Sequence, residues 1–187
     1  MSPELRPPAV LLITGIMGAG KSSVAQALAE RLPKSAHVRG DAFRRFIVGG
    51  AEPMLPGAGP EALAQLRLRY RLGAATADAY AEAGFVAVYQ DIILGQDLVS
   101  VINAIRTRPL YLVALNPRPE VVSGRAETRA KVSGYGEWTV EALHELLLAT
   151  PRIGLWMDTS DQSVDETVTA ILAQLDDART DVAPQPG

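Results

Sequence analysis

The run Gly15-Ile16-Met17-Gly18-Ala19-Gly20-Lys21-Ser22 has the spacing G-x-x-x-x-G-K-S, and its flanks decide how it is read. Ahead of it, Ala9-Val10-Leu11-Leu12-Ile13 is an apolar, branched run of the kind shown by a strand buried on both faces. Behind it, Val24, Leu28 and Leu32 recur at helical spacing. Strand, glycine loop and helix in this order are the context in which such a motif cradles phosphate. Glycine leaves the backbone room to curl around phosphate oxygens, and the free N–H groups at the start of the helix extend the anion site. The motif therefore predicts that Gly15, Met17, Gly18, Ala19, Gly20, Lys21, Ser22 and Ser23 contact a nucleoside triphosphate. Lys21 is expected on the β- and γ-phosphates, and the Ser22 hydroxyl on Mg²⁺.

The 187 residues suit one domain with a sizeable core, and 48% apolar against 21% charged residues is ordinary for a globular chain. A net charge of -3 opposes broad attraction to nucleic acid or anionic membrane. With no cysteine there is neither a disulfide framework nor a thiolate ligand or nucleophile. Met1 to Pro8 lacks the apolar centre of a signal peptide, and no apolar run approaches the ~20 residues of a membrane span. The expected setting is cytoplasmic, with no membrane or nucleic-acid partner.

Further along, Ala36–Arg39, Phe85–Gln90, Pro109–Leu115 and Ile153–Asp158 read as four more strands, each followed by a helical pattern. Alternation of this kind predicts α/β, a five-stranded parallel sheet flanked by helices. Ligands then belong at the carboxyl ends of the strands, where Asp41, Asp91 and Thr159 also fall. Asp41 is either an N-cap or the carboxylate that deprotonates an acceptor hydroxyl. Asp91 is either the acid that supports Mg²⁺ or a cap for a helix near Gln96 to Arg106. The longest helix, from Pro60 to about Ala83, has an apolar face of Leu63, Leu66, Tyr70, Ala74, Ala77 and Ala81. Its Arg67, Arg69 and Arg71 form a solvated face unless one turns towards a phosphate or an acidic substrate group. The Gly49–Pro60 loop has no periodicity and reads as a mobile segment on the substrate side. Arg125 and Arg129 share a helix face beside a glycine-bearing stretch, which suits a short lid at about 130–138 or a salt-bridged surface helix. The domain is expected over 1–177, with a disordered tail over 178–187.

The chain resembles the small P-loop kinases of antibiotics and metabolites, above all chloramphenicol phosphotransferase, with shikimate, gluconate and adenylate kinases more distant. The likeness runs from about Val10 to Leu175. It rests on Gly40-Asp41, Val88-Tyr89-Gln90-Asp91-Ile92-Ile93-Leu94-Gly95, Val122-Ser123-Gly124-Arg125-Ala126-Glu127-Thr128-Arg129 and Met157-Asp158-Thr159-Ser160. Asp41-Ala42-Phe43-Arg44 is also similar to the acid-x-Phe segment of zeta-toxin and polynucleotide-kinase domains. The resemblance implies a P-loop NTPase fold of the nucleoside-kinase type, with ATP and Mg²⁺ as cofactors. It also implies Asp41 as catalytic base, Arg125 and Arg129 in the lid, and Thr159 near the adenine. Asn116-Pro117-Arg118-Pro119 stands where a GTPase carries its guanine-reading motif, so GTP specificity is not expected. The implied activity is transfer of phosphate to a hydroxyl of a small molecule, by a monomer or homodimer. A nucleic-acid-end or nucleotide-sugar kinase and a non-kinase ATP switch are the alternatives.

Overall fold

The computed structural model describes residues 5–127 and 137–180, with side chains described throughout except at 124–127. Five strands, β1 (Ala9–Gly15), β2 (Ser35–Arg39), β3 (Val86–Gln90), β4 (Leu110–Leu115) and β5 (Leu155–Met157), form one sheet in the order β2-β3-β1-β4-β5. Every neighbouring pair is parallel, with β1 in register Ala9↔Val86 against β3 and Val10↔Leu110 against β4. Parallel neighbours need crossovers, and the helices supply them: α1 (Lys21–Arg31), α2 (Gly40–Arg44), α3 (Pro60–Glu82), α4 (Asp97–Ala104), α5 (Pro119–Glu127), α6 (Val140–Leu148), α7 (Val164–Ala173) and α8 (Leu175–Ala178). The side-chain period of two splits the core into two layers. Leu11, Ile13 and Val88 pack with Leu28, Val168 and Ile171 on one face, and Val10, Leu12 and Tyr89 with Ala74, Ala77 and Ile102 on the other.

The central β1 sends its chain outward to β2, whereas β3 leads across it to β4, so the reversal of strand order lies at the carboxyl end of β1. Open α/β sheets bind ligands at such a point. The glycine loop is built there.

Several sequence expectations shift. The helix foreseen to Arg106 stops at Ala104, because the buried Asp78 carboxylate accepts from the N–H groups of Arg106 and Thr107 at 2.9–3.2 Å. Residues 178–180, assigned to a loose tail, are ordered: Arg179 bridges Tyr111, and the Thr180 N–H donates to the Leu110 carbonyl at 2.9 Å. The rest of that tail, from 181, lies outside the described residues, as does most of the expected lid. α3 ends as its sequence foretold. Gly84 takes φ 81°, and the N–H groups of Gly84 and Phe85 close onto the carbonyls of Ala81 and Tyr80.

Candidate active site

Gly20 caps α1 with φ 92°, a left-handed conformation in which a side chain would be strained, and it turns the loop into the helix. Lys21, the first residue of α1, is buried, and its Nζ donates to the Ile16 carbonyl at 2.7 Å. The loop thus holds its own ammonium against its backbone. Beside it opens a cavity of about 430 Å³ lined by Gly18, Ala19, Gly20, Ser23, Thr159 and Ser163, among others. Thr159 and Gly20, 139 residues apart in the chain, thus line one cavity.

Thr159 is 4% exposed, and its hydroxyl oxygen is buried without a hydrogen-bond partner. Leaving such a group unpaired is costly, so a bound group that supplies the missing partner fits the residues present. The turn that carries it is fixed from both sides. The Arg118 N–H donates to Ser160 Oγ at 2.8 Å, and its guanidinium forks onto Asp161 at 2.9 Å twice. Hydrogen bonds from Ser160 hold the Asp158 carboxyl below its usual range, and Arg118 does the same for Asp161. Both carboxylates are exposed, so this clamp sets geometry more than stability. Among the described residues no group of three or more His, Cys, Asp or Glu could hold a metal. A Mg²⁺ here would rest on the Ser22 hydroxyl, with phosphate oxygens and the several waters this ion tends to keep making up its shell.

On the other side of β1, Asp41 lies in the first turn of α2 and makes no capping hydrogen bond, so the N-cap explanation is removed. Its side chain is half-exposed, yet Oδ1 is buried and has no hydrogen-bond partner. Arg39 and Arg45 stand 3.8 and 3.6 Å away, one at each oxygen.

Asp91 departs from its expected role. Its carboxylate takes a two-pronged ion pair from Arg69, Nε to Oδ2 at 2.9 Å and Nη2 to Oδ1, and Oδ1 also accepts the Ile92 N–H at 2.7 Å. Both oxygens face a guanidinium, so neither the metal nor the helix-cap reading describes this carboxylate; it anchors α3 to the end of β3. A Cβ on Gly40 would lie 2.0 Å from Asp91 Oδ2, so α2 and hence Asp41 are seated directly on the pair. Sequence reading missed Arg69, although a signal existed. It stands four residues before Gly73 and eight before Ala77, on the buried stripe of α3, whereas Leu63 and Leu66 of the expected face are half-buried. Burial and the Asp91 charge push the neighbouring Tyr89 phenol far above its ordinary value, so it stays protonated.

A second cavity, of about 230 Å³, opens between α2 and α3, and Glu52 and Met54 of the 49–60 loop wall it. That loop is tied down: the Gln65 amide donates to the Gly50 carbonyl and accepts the Glu52 N–H, and the Trp138 indole N–H donates to the Met54 carbonyl. These bonds anchor a segment that the sequence suggests to be mobile. Arg129 lies outside the described residues, and of Arg125 only the backbone, in α5, is described.

Solved structures share this architecture. A sugar kinase from a Janibacter species superimposes with TM-score 0.64 at 20% identity, covering 92% of this chain and 96% of that one. The APS kinase of Mycobacterium tuberculosis, solved with AMPPNP and APS, matches with TM-score 0.63 at 18% identity over 92% of this chain and 99% of that one. This is the α/β P-loop NTPase fold. A Deinococcus radiodurans tunicamycin resistance protein has the same fold, with TM-score 0.62, 20% identity, and 93% and 99% coverage. No protein-family model matches the sequence, and no curated protein matches it. No helix among the described residues is long and apolar enough to cross a membrane.

Proposed function

We propose that this protein is an ATP- and Mg²⁺-dependent phosphotransferase acting on a hydroxyl of a small molecule, an antibiotic or a sugar-like metabolite. The observation that carries the reading is Asp41. One carboxylate oxygen is buried without a hydrogen bond just after β2, across β1 in the strand order from the cavity beside the glycine loop, where an acceptor hydroxyl would approach. A phosphotransferase needs a base there, and a nucleotide switch does not.

In this reading the loop N–H groups and Lys21 hold phosphate, Ser22 holds Mg²⁺, and Thr159 lies against the base. Bound MgATP supplies the transferable γ-phosphoryl group and the charge neutralisation that phosphate transfer requires. Asp41 accepts the hydroxyl proton, with Arg39 and Arg45 as its ion-pair neighbours. Arg125 and Arg129 are assigned to the charge on the transferring group. The working unit is a monomer or homodimer in the cytoplasm.

The test is ADP formation with Mg²⁺ over a panel of hydroxylated antibiotics, sugars, nucleotide sugars and oligonucleotides, for wild type and Asp41→Ala. Acceptor-dependent turnover is expected, reduced in the variant by about 10²–10⁴-fold with nucleotide binding retained. Equal turnover in the two proteins would remove Asp41 as the base. Hydrolysis raised only by a protein partner would replace the kinase with an ATP switch.

A further inference from the structure

We infer that the acceptor is an uncharged hydroxyl compound built on an apolar ring or branched alkyl body, held in the cavity between α2 and α3. This rests on the phosphotransferase reading and narrows it. Eight of the twelve residues that wall the cavity are apolar, and the largest of them are Phe43, Phe46, Ile47, Met54, Leu66 and Leu72. Phe43 and Phe46 meet edge to face with centroids 6.1 Å apart, and Phe46 is 73% exposed, an aromatic surface held open at the mouth. Aromatic and aliphatic walls of this kind favour a ligand by removing its apolar surface from water.

The charged residues of the wall do not select an ion. Arg44 and Glu52 are of opposite sign, and the Arg69 guanidinium is directed to Asp91. Gln65 is committed to the backbone of Gly50 and Glu52. A sugar acid or a sulfated nucleotide would bring charge and several hydroxyls to a wall with few groups to pair them, at a desolvation cost. Size agrees: an apolar cavity of about 150 Å³ holds benzene, and this one, at about 230 Å³, has room for a six-membered ring with a short substituent. Phe43 and Arg44 of the wall stand two and three residues after Asp41 in the same short helix, which places the cavity beside the element that carries the carboxylate.

The test compares 1-phenyl- and 1-cyclohexyl-1,2-ethanediol with glycerol and gluconate as acceptors, following ADP formation and, separately, binding of each diol by calorimetry. The proteins are wild type, Phe46→Ser and Leu72→Asp; both residues are exposed enough that the fold does not depend on them. The ring-bearing diols are expected to exceed glycerol in kcat/KM by at least ~10-fold. Each variant should raise their KM by a similar factor, with kcat and the KM for ATP unchanged. Turnover confined to glycerol or gluconate, or indifferent to both variants, overturns the apolar acceptor and leaves the kinase standing. Diol binding that the variants weaken, with no turnover of any acceptor, upholds the ligand class and removes the kinase. No diol binding and no turnover overturns both.

Discussion

Arg69 and Asp91 form a charged contact at 7% and 1% side-chain exposure, and the two must be judged together. Removing one partner strands a charge in the interior, so Arg69→Ala is expected to cost about 3–5 kcal/mol in urea unfolding. Replacing both, as Arg69→Met with Asp91→Leu, should restore most of that loss, because no charge is then left unpaired. His37 makes a different residue-scale prediction. Its Nδ1 lies 2.8 Å from Gln26 Oε1, and that amide is oriented by its own bond to Glu30. Nδ1 therefore donates, and Nε2 is buried without a partner. Burial first, and then the Arg39 charge, lower the imidazole below its ordinary 6.5. The fold favours the neutral ring, so this stability is complete above pH 6.5 and is lost as pH falls and the unfolded chain takes up the proton first. Thermal midpoints should drop between about pH 7 and pH 5, and less steeply in His37→Gln.

Among the elements, α7 begins with the clearest local signal in the chain. Ser163 accepts from the Glu166 N–H at 3.2 Å, and Glu166 Oε2 accepts the Ser163 N–H at 2.8 Å, a reciprocal capping box. Ser163→Ala is expected to cost about 1 kcal/mol in chemical unfolding. The Glu166 carboxyl is held below its usual value by the same bonds, so the contribution disappears in acid, below the unfolded value of 4.5. α3 shows where element-level reading stops. Its length and both ends were legible from Pro60 and Gly84. Its buried face was not, because helical periodicity sorts residues by apolarity, and two ionisable side chains, Arg69 and Asp78, are buried through partners on distant segments. Only the packing of α3 against β3 and against the end of α4 supplies those partners.

The cavity beside the glycine loop is walled by residues 18–24 and 159–167, segments far apart in the chain, so a ligand that bridges them should stabilise the molecule as a whole. A ligand that binds only the native state adds about 2.7 kcal/mol at 100-fold its Kd, which for a domain of this size raises the thermal midpoint by ~5–10 °C. MgATP or its non-hydrolysable analogue is expected to produce that shift in wild type, and Lys21→Ala to abolish it while unfolding near the wild-type temperature without nucleotide. An equal shift in both proteins would detach the loop from nucleotide. The sequence by itself determined the parallel α/β architecture, because apolar runs of strand length alternating with helical patterns leave few other ways to bury them. It also determined the glycine loop between β1 and α1, since that turn is made by consecutive backbone and so is local. The tertiary structure alone decided what depends on distant segments meeting: Thr159 against Gly20, Arg69 on Asp91, and an apolar cavity assembled from α2, α3 and the 49–60 loop. Such pairings are selected by packing in three dimensions: spacing along α3 could put Arg69 on the buried stripe but could not name Asp91 as its partner.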